Sequence, residues 1–286
     1  MPSRLIAFTL FLFLSFNIAS FAQSEKKHKH KISAVYFSWG YNTEWYTKST
    51  VHVKQNELGN YYDLMHVEGH DHRGWDEGGG IFKKALTIPQ YNYRLGFFLN
   101  ERQTTAFEIN FDHTKYIIGD GQTIRLKGTH SGMPTDTNIV FSEKNGFYYY
   151  LNNGANFLLF NLVKRRNLYQ GPANNLRIDF MGKIGIGPLI PHVENSFFGA
   201  HNTPGFQIGG WNAGIETAVR ATIMRYAYLE LSQKVDYARY SNLKVYEGTA
   251  RQSFGTYELI LSLGFVIPTY KHNPMFAQVH NTAGKE

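Results

Sequence analysis

The 286-residue chain contains no cysteine. That absence excludes a disulfide scaffold, thiolate zinc or iron–sulfur ligation, and a thiol nucleophile. Long apolar runs are also missing: after Ala22 no stretch is long enough for a transmembrane helix. Mean hydropathy is −0.35, which excludes a polytopic helical membrane protein. It does not exclude a membrane β-barrel, where apolar residues fill only every second position. What the chain does have is aromatic: 22 Phe, 19 Tyr and 4 Trp, a load incompatible with disorder. Lysine plus arginine (29) exceeds aspartate plus glutamate (22).

The amino-terminal segment has the form of a secretory signal peptide. Arg4 supplies a positive charge, Leu5 to Phe16 form a short apolar run, and Ser20-Phe21-Ala22 offers small residues around a cut after Ala22. Residues 1–22 are therefore expected to be removed. The residue after the cut is Gln23, so lipoprotein anchoring through a cysteine is excluded. Residues 23–30 read as a basic, solvated periplasmic tail, residues 31–267 as the folded body and residues 268–286 as a carboxy-terminal periplasmic tail.

The body alternates with period two, the signature of two-faced strands. Tyr257, Leu259, Leu261, Leu263, Phe265 and Ile267 share one face of the last segment, with Glu258, Ser262 and Gly264 on the other. Ala227, Leu229, Leu231, Val235 and Tyr237 alternate with Glu230, Ser232, Lys234 and Asp236. Strong strands are expected over 31–42, 90–99, 104–116, 147–163, 175–189, 207–223, 226–240 and 252–267, about eight in all. They are longer than the strands of soluble sheets, and aromatics such as Trp39, Tyr91, Trp211 and Tyr240 gather near their ends. Short connections (100–103 and 224–225) interleave with long ones (43–89, 117–146 and 190–206). This rhythm predicts a closed antiparallel up-and-down transmembrane β-barrel of eight strands, both termini periplasmic and the long loops outside the cell. Extra strands near 61–67 and 122–128 extend hairpins above the membrane, or raise the count to ten or twelve if they cross it.

The signal segment, the alternating strands and the terminal stretch Gly255-Thr256-Tyr257-Glu258-Leu259-Ile260-Leu261-Ser262-Leu263-Gly264-Phe265 resemble the small bacterial outer-membrane β-barrel family. The resemblance implies an outer-membrane location and a barrel fold, and an assembly strand that ends in an aromatic. Here the chain continues for 21 residues past Phe265.

Three sets of residues carry candidate chemistry. Charges on the minor strand faces would fill the lumen: Arg94, Glu108, Asp112, Arg177, Asp179, Lys183, Glu216, Arg220, Glu230, Lys234, Asp236 and Glu258. An eight-stranded barrel is just wide enough for side chains to fill, so these are expected to pair into a plug. A narrow polar pore, porin-like, is the alternative. His66, His70 and His72 form the densest ligand-like group, suited to a divalent metal but matching no fixed spacing. No other cofactor is implied. His192, Glu194 and Ser196 follow the fifth strand and are similar to the site of lipid A deacylase barrels, where a His and a Ser stand as His-x-Ser. Here Glu194 occupies that position and the serine is Ser196. The similarity implies a lipid ester hydrolase at the outer leaflet, with His192 activating the Ser196 hydroxyl.

The leading reading is an outer-membrane barrel whose loops bind a ligand or surface, with the hydrolase and the passive pore as rivals. Expected partners are outer-membrane lipid and the phosphates of lipopolysaccharide. Export and lumenal placement of the bases exclude nucleic acid. A closed wall leaves no edge to pair, so a monomer is expected.

Overall fold

The computed structural model describes residues 32–72, 90–151, 154–172 and 175–269. The signal segment, the basic tail, residues 73–89 of the expected loop 43–89 and the carboxy-terminal tail beyond residue 269 lie outside the described residues.

Among the described residues, seventeen strands form one antiparallel sheet. In chain order they are β1 (Ala34–Tyr46), β2 (Ser49–Gln55), β3 (Asn60–Val67), β4 (Gly69–His70), β5 (Tyr91–Phe98), β6 (Thr105–His113), β7 (Tyr116–Ile118), β8 (Thr123–His130) and β9 (Met133–Val140). The remainder are β10 (Tyr148–Leu151), β11 (Phe157–Gln170), β12 (Leu176–Pro188), β13 (Glu194–Phe197), β14 (Ala200–Asn202), β15 (Gly210–Ile223), β16 (Ala227–Val245) and β17 (Gly248–Pro268). Eight of them close a barrel: β1 pairs with β5, β5 with β6, β6 with β11, β11 with β12, β12 with β15, β15 with β16, β16 with β17, and β17 with β1. The closing pair runs in register from Ala34↔Pro268 to Tyr46↔Thr256.

The other nine strands extend the wall at one end. One arm leaves β17 through β2, β3, β8 and β9; the other leaves β1 through β4, β7, β10, β13 and β14. The segments near 61–67 and 122–128 thus belong to this extension, and the barrel wall keeps eight strands among the described residues. One expected strand needs correction. Residues 147–163 divide into β10, in the extension, and β11, in the wall, which runs on to Gln170. The break falls at Gly154-Ala155-Asn156, where Gly154 (φ +130°) and Asn156 (φ +36°) leave extended geometry. The expected long loops 117–146 and 190–206 likewise carry strands.

The inward faces are filled in layers. Near the short turns lies an aromatic layer built on Tyr36, Phe98, Tyr228, Met181 and Val266. Gly96 and Gly264 make room for it: a Cβ on either would strike the Tyr36 or Tyr228 ring. Most of the charged residues stand above it, while Arg165, Arg177 and Asp179 lie beside it toward the short turns. The extension is filled by a larger apolar core that includes Val51, Val53, Leu64, Tyr116, Phe141, Tyr149, Phe157, Leu243 and Phe254.

The outward faces follow the opposite order. Leu229, Leu231, Val235, Leu261, Leu263, Phe265, Ile215, Val219, Ile184, Leu162 and Phe160 are exposed around the barrel wall. On β16 the outward stretch from Ala227 to Tyr237, apolar except for Gln233, spans about 25 Å along the axis, at ~3.4 Å per residue and a tilt of about 40°. Paired aromatics mark its upper rim: Trp211 with Tyr237 at 5.8 Å, and Trp45 with Tyr257 at 5.7 Å.

Candidate functional site

Among the described residues, the barrel interior is the densest concentration of ionisable side chains. Six bases and eight acids are buried there: Arg94, Arg165, Arg177, Lys183, Arg220 and Lys234 against Glu44, Glu108, Asp112, Asp179, Glu216, Glu230, Asp236 and Glu258. Strand alternation puts them inside, since each shares its parity with the buried face of its strand.

They fall into three groups. In the middle, Lys183 Nζ donates to Glu108 (3.2 Å) and Glu230 (2.9 Å) and forms an ion pair with Glu216 (3.0 Å). Arg94 bridges Glu108 (3.2 Å) and Glu216 (2.9 Å), and Arg220 holds Glu230 (2.6 Å) while lying over the rings of Tyr36 and Tyr228. Three cations meet three carboxylates, and the Tyr36 hydroxyl adds a hydrogen bond to Glu108 at 2.8 Å. Nearer the short turns, Arg177 donates to Asp179 (2.8 Å), while Arg165 lies 4.0 Å from Asp179 and over the Phe98 ring. Toward the extension the balance reverses. Lys234 is paired with Asp112 and with Glu258 (2.6 Å), and Asp236 stands 3.9 Å away. Glu44 accepts from the Tyr46 hydroxyl, and Asn42 donates to Glu258 at 2.6 Å. Charge therefore grades along the axis from a local excess of cations to a local excess of acids. Every base has a carboxylate partner, which low dielectric demands.

Two of these charges escape the sequence reading. The first expected strand stops at 42 and the fourth at 163, which leaves out Glu44 and Arg165. Extending each alternation by one step, from Asn42 and from Val163, would have placed both inside.

The other candidates lie in the extension. The Ser196 hydroxyl is buried and donates to the Gly146 carbonyl at 2.9 Å. His192 packs its ring against Phe206, 5.1 Å between centroids, and shares no hydrogen bond with Ser196. Glu194 sits opposite Tyr150 across β10 and β13. The residue facing Ser196 on β14 is His201, whose Nδ1 meets the Tyr148 hydroxyl at 2.6 Å and whose Nε2 meets Thr203. His66, next to last in β3, takes a left-handed conformation (φ +60°), His70 pairs across to Trp45, and the His72 backbone donates to Gln90. Among the described residues no three His, Asp or Glu side chains gather in a metal-binding group.

Tyrosines inside the extension's core are kept neutral by burial. Tyr116, hydrogen-bonded to Ser49, is pushed up to about 12, and Tyr149 is raised as well. On the surface, the Lys48 ammonium beside Glu68 lowers that carboxyl.

No family model and no curated protein matches the chain. Among solved structures it is similar to Ail, the attachment invasion locus protein of Yersinia pestis, in complex with the heparin analogue sucrose octasulfate. Identity is 13% over 83% of this chain and 100% of Ail, with a TM-score of 0.34. It is similar to OprG of Pseudomonas aeruginosa at 11% identity, over 83% of this chain and 97% of OprG, TM-score 0.36. It is also similar to the outer membrane protease OmpT of Escherichia coli, at 10% identity over 86% and 100%, TM-score 0.31. The closed antiparallel barrel itself rests on the strand pairing described above.

Proposed function

We propose that the chain is an integral β-barrel of a bacterial outer membrane, with a plugged lumen and an extension that presents a binding surface outside the cell. One observation carries this reading. The polarity of the wall inverts along single strands. On β16 the outward residues Leu229, Leu231 and Val235 are exposed while Glu230, Lys234 and Asp236 are buried; past Tyr237 the outward residues are Arg239 and Lys244 while Tyr240, Leu243 and Val245 are buried. One solvent cannot favour both arrangements. Lipid around the lower wall and water around the extension favour each in turn.

The apolar belt of about 25 Å matches a bilayer core. The aromatic pairs at its rim suit the headgroup level. Export would follow from the amino-terminal segment, with cleavage after Ala22. The ion pairs in the lumen and the apolar core above them leave the barrel a plug and not a porin-like pore. The closed wall makes a monomer the expected state.

Cell fractionation with gel mobility before and after heating tests the reading. The folded protein is expected only in the detergent-extracted outer-membrane fraction, and to migrate faster unheated than boiled. Recovery as a soluble periplasmic protein with no heat-dependent mobility would overturn it.

A further inference from the structure

The outward face above the belt carries cations without matching acids. Lys54 on β2 and Lys244 on β16 are both register partners of Thr249 on β17, so they flank it on one face, about 10 Å apart at two strand spacings. Arg251 lies two residues along β17 from Thr249 on the same face, and Arg239 lies opposite Ser253, two residues further down. All four side chains are exposed, and none of the four has an ion pair among the described residues. The nearby acids do not pair with them: Asp63 is taken by His52 at 2.6 Å, and Glu57 and Glu247 lie in the turns beyond Lys54 and Lys244 without an ion pair to either.

The lower end of this ridge meets the belt. Arg239 is the register partner of Trp211, which packs on Tyr237 at the aromatic rim. We propose that Lys54, Arg239, Lys244 and Arg251 form a binding ridge for an anionic glycolipid of the outer leaflet, a lipid whose phosphorylated saccharide head rises from the bilayer along β16, β17 and β2. One feature selects this partner over a soluble anion. The cations climb from Arg239, level with the rim aromatics, to Lys244 and Lys54, so acyl chains beside Tyr237 and phosphates beside Arg239 are engaged together. Multiple phosphates matched to several cations add by charge complementarity, and the interaction is screened by salt.

The proposal rests on the membrane reading above. It is tested on the full chain folded in uncharged detergent micelles, titrated with a bis-phosphorylated diglucosamine lipid and followed by tryptophan fluorescence. The phosphorylated lipid is expected to bind at least tenfold more tightly than the same lipid stripped of both phosphates. A combined Lys54→Gln, Arg239→Gln, Lys244→Gln and Arg251→Gln variant should lose that tenfold and most of the salt dependence, whereas Lys127→Gln on β8 should bind like the parent. Equal binding by the four-site variant, or equal binding of the dephosphorylated lipid, would overturn the ridge. Equal binding of a phosphorylated disaccharide without acyl chains would overturn the lipid assignment. Heat-dependent gel mobility of each variant separates the two ideas. A parent that shifts on heating but ignores the phosphates refutes the ridge alone, and a parent that never shifts refutes the barrel in the membrane.

Discussion

The two halves of β16 solve the same packing problem with opposite chemistry. From Tyr228 to Asp236 its inward side chains join a charge network, and from Ala238 to Val245 they join an apolar core. A bulge at Ser241-Asn242, with Asn242 at φ +54°, shifts the register so that Leu243 and Val245 still face inward. β17 repeats the change, from Ser262, Glu258 and Thr256 to Phe254 and Ala250. The upper half is an ordinary water-soluble arrangement, apolar inside and polar outside. The lower half is its inverse. The difference teaches that the interior of a narrow barrel is chosen by what surrounds the wall: where the outside is apolar, alternation hands every polar residue to the lumen, and these must then satisfy one another.

The comparison is broken most forcefully in the lower half. Replacing Lys183 by Met strips one partner from Glu108, Glu216 and Glu230 together, and breaking a buried pair costs about 3–5 kcal/mol. Urea titration of the folded protein in micelles, read by gel mobility, should show that loss, and an unchanged midpoint would contradict it. The matching cut in the upper half is Phe254→Ala. Its ring stacks on Tyr116 at 4.6 Å and meets Tyr46 and Tyr240 at 5.4 Å, so its removal should cost about 3 kcal/mol by cavity formation. The damage should stay local: the extension becomes protease-sensitive while the barrel keeps its heat-dependent mobility. Simultaneous loss of both would show that the halves fold as one unit.

Alkali sharpens the contrast further. The folded extension holds the Tyr116 phenol neutral, so that contribution is complete below ~10 and is lost as pH rises toward about 12, at about 1.4 kcal/mol per pH unit. Protease protection of the extension should fall across that interval, and Tyr116→Phe should flatten the fall; an identical profile in the variant would refute the assignment. The smallest effect belongs to the surface. Arg125 and Asp136 form a bidentate pair at 2.6–2.7 Å on β8 and β9, but both are solvated. Arg125→Gln should leave unfolding indistinguishable from the parent.

The barrel was largely legible in the sequence because alternation is a strict period and lipid-facing strands are long. Seven of the eight wall strands lie where the pattern puts them, and the charges on their minor faces are buried. The fourth strand was misplaced because the aromatic stretch 147–163 looks continuous, while the chain turns out of it at Gly154 and Asn156. The extension was harder to read. Its strands are short, and the partners of β7, β10 and β13 are distant in sequence, so no local period announces them. The separation of His192 from Ser196 has the same origin: proximity in a loop depends on tertiary pairing, which spacing alone does not encode.

The absence of cysteine makes the central claim directly measurable. Single Leu231→Cys, Leu261→Cys and Ile215→Cys variants probe the belt, and Lys54→Cys and Arg251→Cys probe the face above it. With a nitroxide on each, in bilayers, the account predicts that belt sites collide with dissolved oxygen and exclude a water-soluble paramagnetic nickel complex, and that the upper sites do the reverse. Free access of the nickel complex to Leu231→Cys, Leu261→Cys and Ile215→Cys would contradict it.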